Sequence, residues 1–230
     1  MKKVTILIPV FNEFNTLKEI LEKVENAKFC NLEKEIILID DASTDGTLEI
    51  LAELKDKYKV FYHKKNMGKG AALKTGLKEA TGDIIVIQDA DLEYNPADYD
   101  PLIQIILDEK ADVVYGSRLM KEDSLHTFMP SHLFGNRLIT FVTNLLYGAK
   151  LTDMETCYKA FKKEFIENID IKSLRFDFEP EITAKVLKKK ARLKEYPISY
   201  DARLHNEGKK ITWIDGFHAI WALAKFRFID

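Results

Sequence analysis

Apolar and polar residues alternate in blocks along the first half of the chain, and the blocks come in two lengths. Short runs rich in Ile and Val, at 4–10, 35–40, 60–63, 83–88 and 111–116, have the length of buried strands. Between them, 14–27, 44–58, 69–80 and 96–109 space their apolar residues as helices with one buried face do. This β-α-β rhythm predicts an α/β fold, a mainly parallel sheet with helices on both faces, whose ligands bind beyond the carboxyl ends of the strands. Pro96 suits a helix start, Ser43 or Thr44 a helix cap, and Gly82 the residue after a helix end.

After Gly116 the rhythm breaks. Residues 117–130 are polar and irregular, which predicts a mobile loop over the site. Farther on, 133–149, 179–190 and 213–226 read as helices and 192–197 as an extended piece, with no internal repeat or low-complexity linker.

Composition narrows the class. With 230 residues, 46% of them apolar, the chain can bury one sizeable core. Its 35 basic and 37 acidic residues leave a net charge of -2, which gives no global attraction to nucleic acid. Two cysteines cannot make a disulfide framework, and no signal-peptide pattern follows Met1, so a cytoplasmic, reducing location is expected. The most apolar stretch, 133–149, is interrupted by Asn136, Arg137, Thr140 and Asn144, so membrane contact is expected to be peripheral, at the inner face.

The densest chemistry is Gln88-Asp89-Ala90-Asp91-Leu92-Glu93, directly after the run 84–87. A buried strand ending in two aspartates one residue apart delivers both to the crevice, where they can clamp a divalent ion and a bound phosphate. Mg²⁺ and Mn²⁺ prefer hard oxygen ligands and share coordination with substrate phosphates, so a short acidic cluster suffices and the metal arrives with the substrate. Taken alone, such a pair equally serves to cap the next helix. Its neighbours must decide.

Several other segments end at the same sheet edge. Asp41, in Ile39-Asp40-Asp41-Ala42-Ser43, is placed to accept from a base or ribose, whereas Ser43 and Asp45 read as helix caps. Pro9-Val10-Phe11-Asn12-Glu13 can form the other wall of a nucleoside pocket. Asn66-Met67-Gly68-Lys69-Gly70 lacks the Walker spacing, which excludes an ATPase loop and leaves Lys69 either a nucleotide contact or a packing role. Arg118, after Gly116-Ser117, can pair bidentately with a phosphate. Asp153, Glu155 and Lys159 supply further charge, as do Asp177, Glu179 and Glu181, and Arg203, His205, Glu207, Lys209 and Lys210 form a polar, basic loop able to close over a pyrophosphate.

In this order IPVFNE, IDDASTDGT, NMGKGAA, DADLEY, GSR, LTDMETCYKAF, FDFEPEI and ARLHNEGKK resemble the family 2 glycosyltransferases of the nucleotide-diphospho-sugar transferase (A-type) fold, over nearly the whole chain. Within them the set looks most like dolichyl or polyprenyl phosphate hexose synthases, of mannose or glucose. The resemblance implies that Pro9, Phe11, Glu13 and Asp41 hold the nucleoside, with Lys69 and Ala90 beside it. It also implies that Asp89 and Asp91 hold Mg²⁺ or Mn²⁺ on the diphosphate, with Glu93 completing the shell. Arg118, Arg203 and Lys209 or Lys210 match positions that embrace phosphates. One domain, 1–230, then divides into a nucleotide-binding half (1–118), an acceptor half with flexible loops (119–212) and a C-terminal amphipathic helix (213–230).

The expected reaction moves a hexose from a UDP- or GDP-sugar to polyprenyl phosphate. A lipid phosphate is already ionised near neutral pH and attacks in line without much help from a base, which predicts inversion. A saccharide or protein hydroxyl acceptor would require a base, with Asp153 the candidate, unless that residue only orients an arginine or the sugar. A nucleotide-sugar-binding protein without turnover is the non-enzymatic alternative. Aromatic and aliphatic residues beside Arg137, Lys225 and Arg227 suit 133–149 and 213–228 to a bilayer interface, and a membrane-protein partner or a homo-oligomer fits the same surfaces.

Overall fold

The computed structural model describes residues 1–121, 128–175, 177–202 and 213–229. Its strands are β1 (Lys3–Val10), β2 (Glu33–Asp40), β3 (Lys59–Tyr62), β4 (Ile84–Ile87), β5 (Val113–Ser117), β6 (Lys159–Lys162) and β7 (Leu193–Pro197). They form one sheet in the order β3-β2-β1-β4-β6-β5-β7, parallel except for β6, which runs antiparallel to both β4 and β5. The helices are α1 (Leu17–Asn26), α2 (Thr47–Leu54), α3 (Lys69–Glu79), α4 (Tyr99–Leu107), α5 (Pro130–Tyr147), the single turn α6 (Lys163–Ile166), α7 (Phe178–Lys188) and α8 (Trp213–Phe228). Among the described residues no helix is long and apolar enough to cross a membrane.

Side chains alternate across a strand, so each central strand feeds two cores. Ile6 and Ile8 of β1 pack with Leu38, Val86 and the inner faces of α1, α2 and α4, while Leu7 packs with Ile37, Ile39, Ile85 and the inner face of α3, in a core that continues to α5, α7 and α8. All of these strand side chains are fully buried. Each contributes about 1.5–3 kcal/mol relative to exposure, which is why the apolar runs of β1, β2 and β4 fix the middle of the sheet.

The chain order reverses between β1 and β4: β2 and β3 build outward on one side, and β4 starts the other. In such a sheet the loops beyond β1 and β4 leave the strands in opposite directions and open a crevice at their carboxyl ends. Val10 ends β1 and Ile87 ends β4, so the segments 11–13 and 88–93 flank that crevice.

Strand β6 is the element the polar pattern hides. Its residues Lys159 and Lys162 are charged, yet both are buried: Lys159 Nζ is bonded to the Thr156 carbonyl and lies over the Tyr115 ring, and Lys162 pairs with Glu109. Of the irregular stretch 117–130, residues 122–127 lie outside the described residues, as does the loop holding Arg203, His205, Glu207, Lys209 and Lys210.

Candidate active site

Three non-glycine residues with left-handed backbone stand at the exits of the three central strands: Asn12 (φ 56°) after β1, Ala42 (φ 63°) after β2 and Leu92 (φ 65°) after β4. This conformation costs an L-residue roughly 1–2 kcal/mol, and such strain collects where a site over-determines the backbone. Cross-loop bonds hold it. Asn12 N donates to Ser43 Oγ at 2.9 Å, Thr44 N donates to Asn12 Oδ1 at 2.7 Å, and Phe14 N donates to Asp45 Oδ2 at 3.1 Å. Ser43 and Asp45 therefore stitch two loops together, although Asp45 also caps α2 through Thr47 N at 3.1 Å. Pro9, Phe11 and Glu13 are half-buried along this wall, and Glu13 Oε2 accepts from Thr16 Oγ1 at 2.7 Å.

Asp41 is closed off, at 3% exposure. Its Oδ1 meets His63 Nδ1 at 2.8 Å and accepts from Met67 N at 2.9 Å, while its Oδ2 accepts from Gly68 N at 2.6 Å. These bonds pin the turn before α3, and a base would reach the carboxylate only after one of them loosens. Its neighbour Asp40 is fully buried, and its Oδ1 has no hydrogen-bond partner. An orphaned carboxylate oxygen at a strand end is costly, and the run Asp40-Asp41 alone does not show which of the two bears it.

The segment 66–70 packs rather than cradling a phosphate. Ala71 N donates to Leu174 O at 3.0 Å, and a Cβ on Gly70 would meet Ser173 O at 2.4 Å, so Gly70 admits protein backbone. Lys69 turns inward to the centre of the site. Its Nζ lies 2.7 Å from Asp89 Oδ1, 3.1 Å from Glu179 Oε1 and 3.0 Å from Cys157 Sγ. Burial pushes the Asp89 pKa up, but the Lys69 ammonium, the Cys157 thiol and Lys159 together outweigh it and hold the carboxyl below its usual value.

Beneath Asp89 lies a tyrosine stack. Tyr94 and Tyr158 stack at 4.6 Å, Tyr99 and Tyr158 at 4.7 Å, and the Tyr158 hydroxyl donates to Gln88 Oε1 at 2.6 Å. Gln88 in turn donates to the Asp89 carbonyl at 2.8 Å, which fixes the strand exit that carries the acidic cluster. Asp91 Oδ1 accepts from Glu93 N at 3.2 Å, and Glu93 Oε2 accepts from the Tyr200 hydroxyl at 3.0 Å. Among the described residues no three His, Cys, Asp or Glu side chains converge as a ready-made metal cage. Hard oxygens from Asp89 and Asp91 still fit Mg²⁺ or Mn²⁺, provided that phosphate and water complete the shell.

One ion pair joins two of the expected site residues. Arg118 donates through Nε to Asp153 Oδ2 at 2.7 Å and through Nη2 to Asp153 Oδ1 at 2.8 Å, while its Cζ lies 5.0 Å from the Tyr200 ring centroid and 5.4 Å from that of Phe128. The forked edge expected to grip a phosphate is thus occupied. Asp153, fully buried, also accepts from Arg118 N at 3.0 Å and Asn136 Nδ2 at 2.8 Å. Burial raises its pKa, but the arginine and these four bonds outweigh it and hold the carboxyl low, which makes Asp153 a poor general base. The geometry is that of a carboxylate orienting an arginine.

The carboxylates left over are Glu155 and Glu179. Glu155 Oε1 and Glu179 Oε2 are buried without hydrogen-bond partners. Burial first, and then the charge of Glu179, push the Glu155 pKa up to about 7, with Lys159 and Arg118 opposing and Asp153 reinforcing. A carboxyl that keeps its proton in the folded chain past the pH at which the unfolded chain loses it destabilises the fold as pH rises from about 4.5 to about 7. Glu155→Gln is therefore expected to be more stable than wild type at pH 8, with the advantage fading towards pH 5. Thermal unfolding midpoints across that range check this, and a constant difference would contradict it.

Comparisons with known proteins follow the same lines. A family model described as glycosyl transferase family 2 matches residues 5–170. A dolichol-phosphate mannosyltransferase of Pyrococcus furiosus is 31% identical over 215 residues, 90% of this chain and 59% of that protein, so the chain spans rather more than half of it. A UDP-N-acetylglucosamine–dolichyl-phosphate N-acetylglucosaminyltransferase of Methanococcus voltae is 29% identical, covering 86% of this chain and 85% of the relative. An uncharacterized protein of Methanocaldococcus jannaschii is 30% identical over 96% of this chain and 90% of its own length. Among solved structures, glucosyl-3-phosphoglycerate synthase from Mycobacterium tuberculosis, in complex with Mn²⁺, uridine diphosphate and glucosyl-3-phosphoglycerate, superposes with a TM-score of 0.75 at 17% identity, covering 100% of this chain and 81% of that one.

Proposed function

The chain belongs to glycosyl transferase family 2 and is a glycosyltransferase, and on that premise we propose that it moves a hexose from a nucleotide-diphospho-sugar to polyprenyl phosphate with inversion. The observation that carries the donor side is the acidic exit of β4 at the sheet's reversal point, with Asp91 beside the Lys69–Asp89 pair. Residues 1–118 are the donor half: the wall of Pro9, Phe11 and Glu13 faces the nucleoside, with Asp41 and Asp40 behind it. A divalent ion, when bound with the donor, would neutralise the departing diphosphate from Asp89 and Asp91. The Mn²⁺ and uridine diphosphate bound by the M. tuberculosis structure of the same fold support this. Lys69 is placed to share its charge between Asp89 and a donor phosphate, and Arg203 with Lys209 or Lys210 is proposed to close over the phosphates.

Residues 119–212 form the acceptor side. Two observations support a lipid phosphate there. Two of the relatives are named for dolichol or dolichyl phosphate, and Asp153, the base a hydroxyl acceptor would need, is locked to Arg118. A second reading, a saccharide hydroxyl acceptor, is favoured by one observation: Glu155, with its unpartnered oxygen and raised pKa, has the properties of a base near neutral pH. Labelled UDP- and GDP-sugars incubated with Mn²⁺ and either polyprenyl phosphate or soluble sugars separate the two. Label in the organic phase is the expected result, and label only in water-soluble saccharide would overturn it.

A further inference from the structure

The six most exposed large apolar side chains among the described residues are Phe228, Leu145, Phe134, Trp221, Phe217 and Phe141, at 63–84%, and all lie on α5 and α8. On α5 they follow one face: 134, 138, 141 and 145 point outward, while Asn136, Ile139, Thr140 and Thr143 are buried. On α8, Ala219, Ala222, Leu223 and Phe226 face the core, and Phe217 and Trp221 face out. Three contacts align the helices. A Cβ on Gly216 would lie 3.9 Å from Ile139, the Tyr147 hydroxyl donates to Leu223 O at 2.7 Å, and Arg227 Nε donates to Leu146 O at 3.0 Å. The helices thus run in the same direction with Ile139 level with Gly216 and Tyr147 level with Leu223, which sets the two stripes side by side as one surface.

A continuous apolar surface of this kind on a folded chain marks a partner. The charges around it say which. Helix α5 holds no Asp or Glu, and among the described side chains of the two helices the exposed Lys and Arg are Arg137, Lys225 and Arg227, with no exposed Asp or Glu. A second copy meeting this face about a two-fold axis would set these cations against themselves, whereas anionic lipid headgroups would neutralise them as the aromatic rings enter the acyl boundary. The opposite face of α5 carries Asn136, bonded to Asp153 and through it to Arg118. A lipid surface on the outer face would lie about one helix diameter, ~10 Å, from the acceptor side of the site.

We propose that the outer faces of α5 and α8 form a docking surface for an anionic lipid membrane, which delivers the acceptor to the site. The choice of lipid over other partners rests on the lipid-phosphate reading above. Flotation with vesicles of phosphatidylcholine alone and of phosphatidylcholine with phosphatidylglycerol tests it. Wild type is expected to float with the anionic vesicles, less at high salt. Phe141→Ser with Trp221→Ser, two exposed positions whose loss spares the core, is expected to lower that partition at least about tenfold. The variant should still transfer sugar to a short-chain, water-soluble polyprenyl phosphate as wild type does. Failure of wild type to float, equal flotation of the variant, or a stable dimer abolished by the same substitutions would overturn the docking surface. Vesicle binding that depends on these residues, without transfer to any lipid phosphate, would overturn the acceptor reading and leave the surface standing.

Discussion

Asp91→Asn is expected to lower sugar transfer by about 10²–10³-fold while leaving the unfolding midpoint close to that of wild type. The substitution keeps the shape of the side chain and an oxygen able to accept from Glu93 N, the bond that Asp91 Oδ1 makes at 3.2 Å. What it removes is one negative charge at the exit of β4. If that charge holds the cation against the leaving diphosphate, its loss is felt where charge develops in the transition state, and kcat falls. Asp89→Asn would be a less clean test, because it also leaves the buried Lys69 ammonium short of its 2.7 Å partner. Transfer assays with labelled donor, run beside thermal unfolding, measure both halves. Full turnover of Asp91→Asn in added Mg²⁺ or Mn²⁺ would remove the metal role.

Asp153→Ala has the largest expected effect on stability, a loss of about 3–5 kcal/mol, or on the order of 10 °C in unfolding midpoint. It strands the buried Arg118 guanidinium and deprives Asn136 Nδ2 and Arg118 N of their acceptor. Breaking a buried pair is costly because the surviving charge stays behind, whereas replacing both partners by apolar groups of similar size is often nearly neutral. Arg118→Met with Asp153→Leu is therefore expected to recover more than half of the lost stability. Calorimetry of the single and double variants decides it: a double variant no more stable than Asp153→Ala would show that the ion pair is not the source of the loss.

These two residues also show where the sequence stopped being legible. Arg118 and Asp153 each read as a site residue, but nothing in a spacing of 35 positions reveals that they hold one another. The same holds for Lys69, whose partner Glu179 comes from a distant helix. Position relative to the sheet was legible because β1, β2, β4 and β5 are apolar on both faces, and that pattern alone puts Asp41, Asp89 and Arg118 at one edge. The direction each carboxylate faces was not, since it depends on partners folded in from elsewhere. Strand β6 escaped for a related reason: the charges of Lys159 and Lys162 argue for surface until Tyr115, the Thr156 carbonyl and Glu109 are in place to bury them.

Anomalous diffraction from crystals grown with Mn²⁺ and a nucleoside diphosphate would test the site most directly. A manganese peak about 2–2.5 Å from an Asp91 oxygen and from the diphosphate, with Lys69 beside both, is the expected result. A nucleotide seated elsewhere, with the carboxylates of Asp89 and Asp91 touching neither ion nor phosphate, would contradict it.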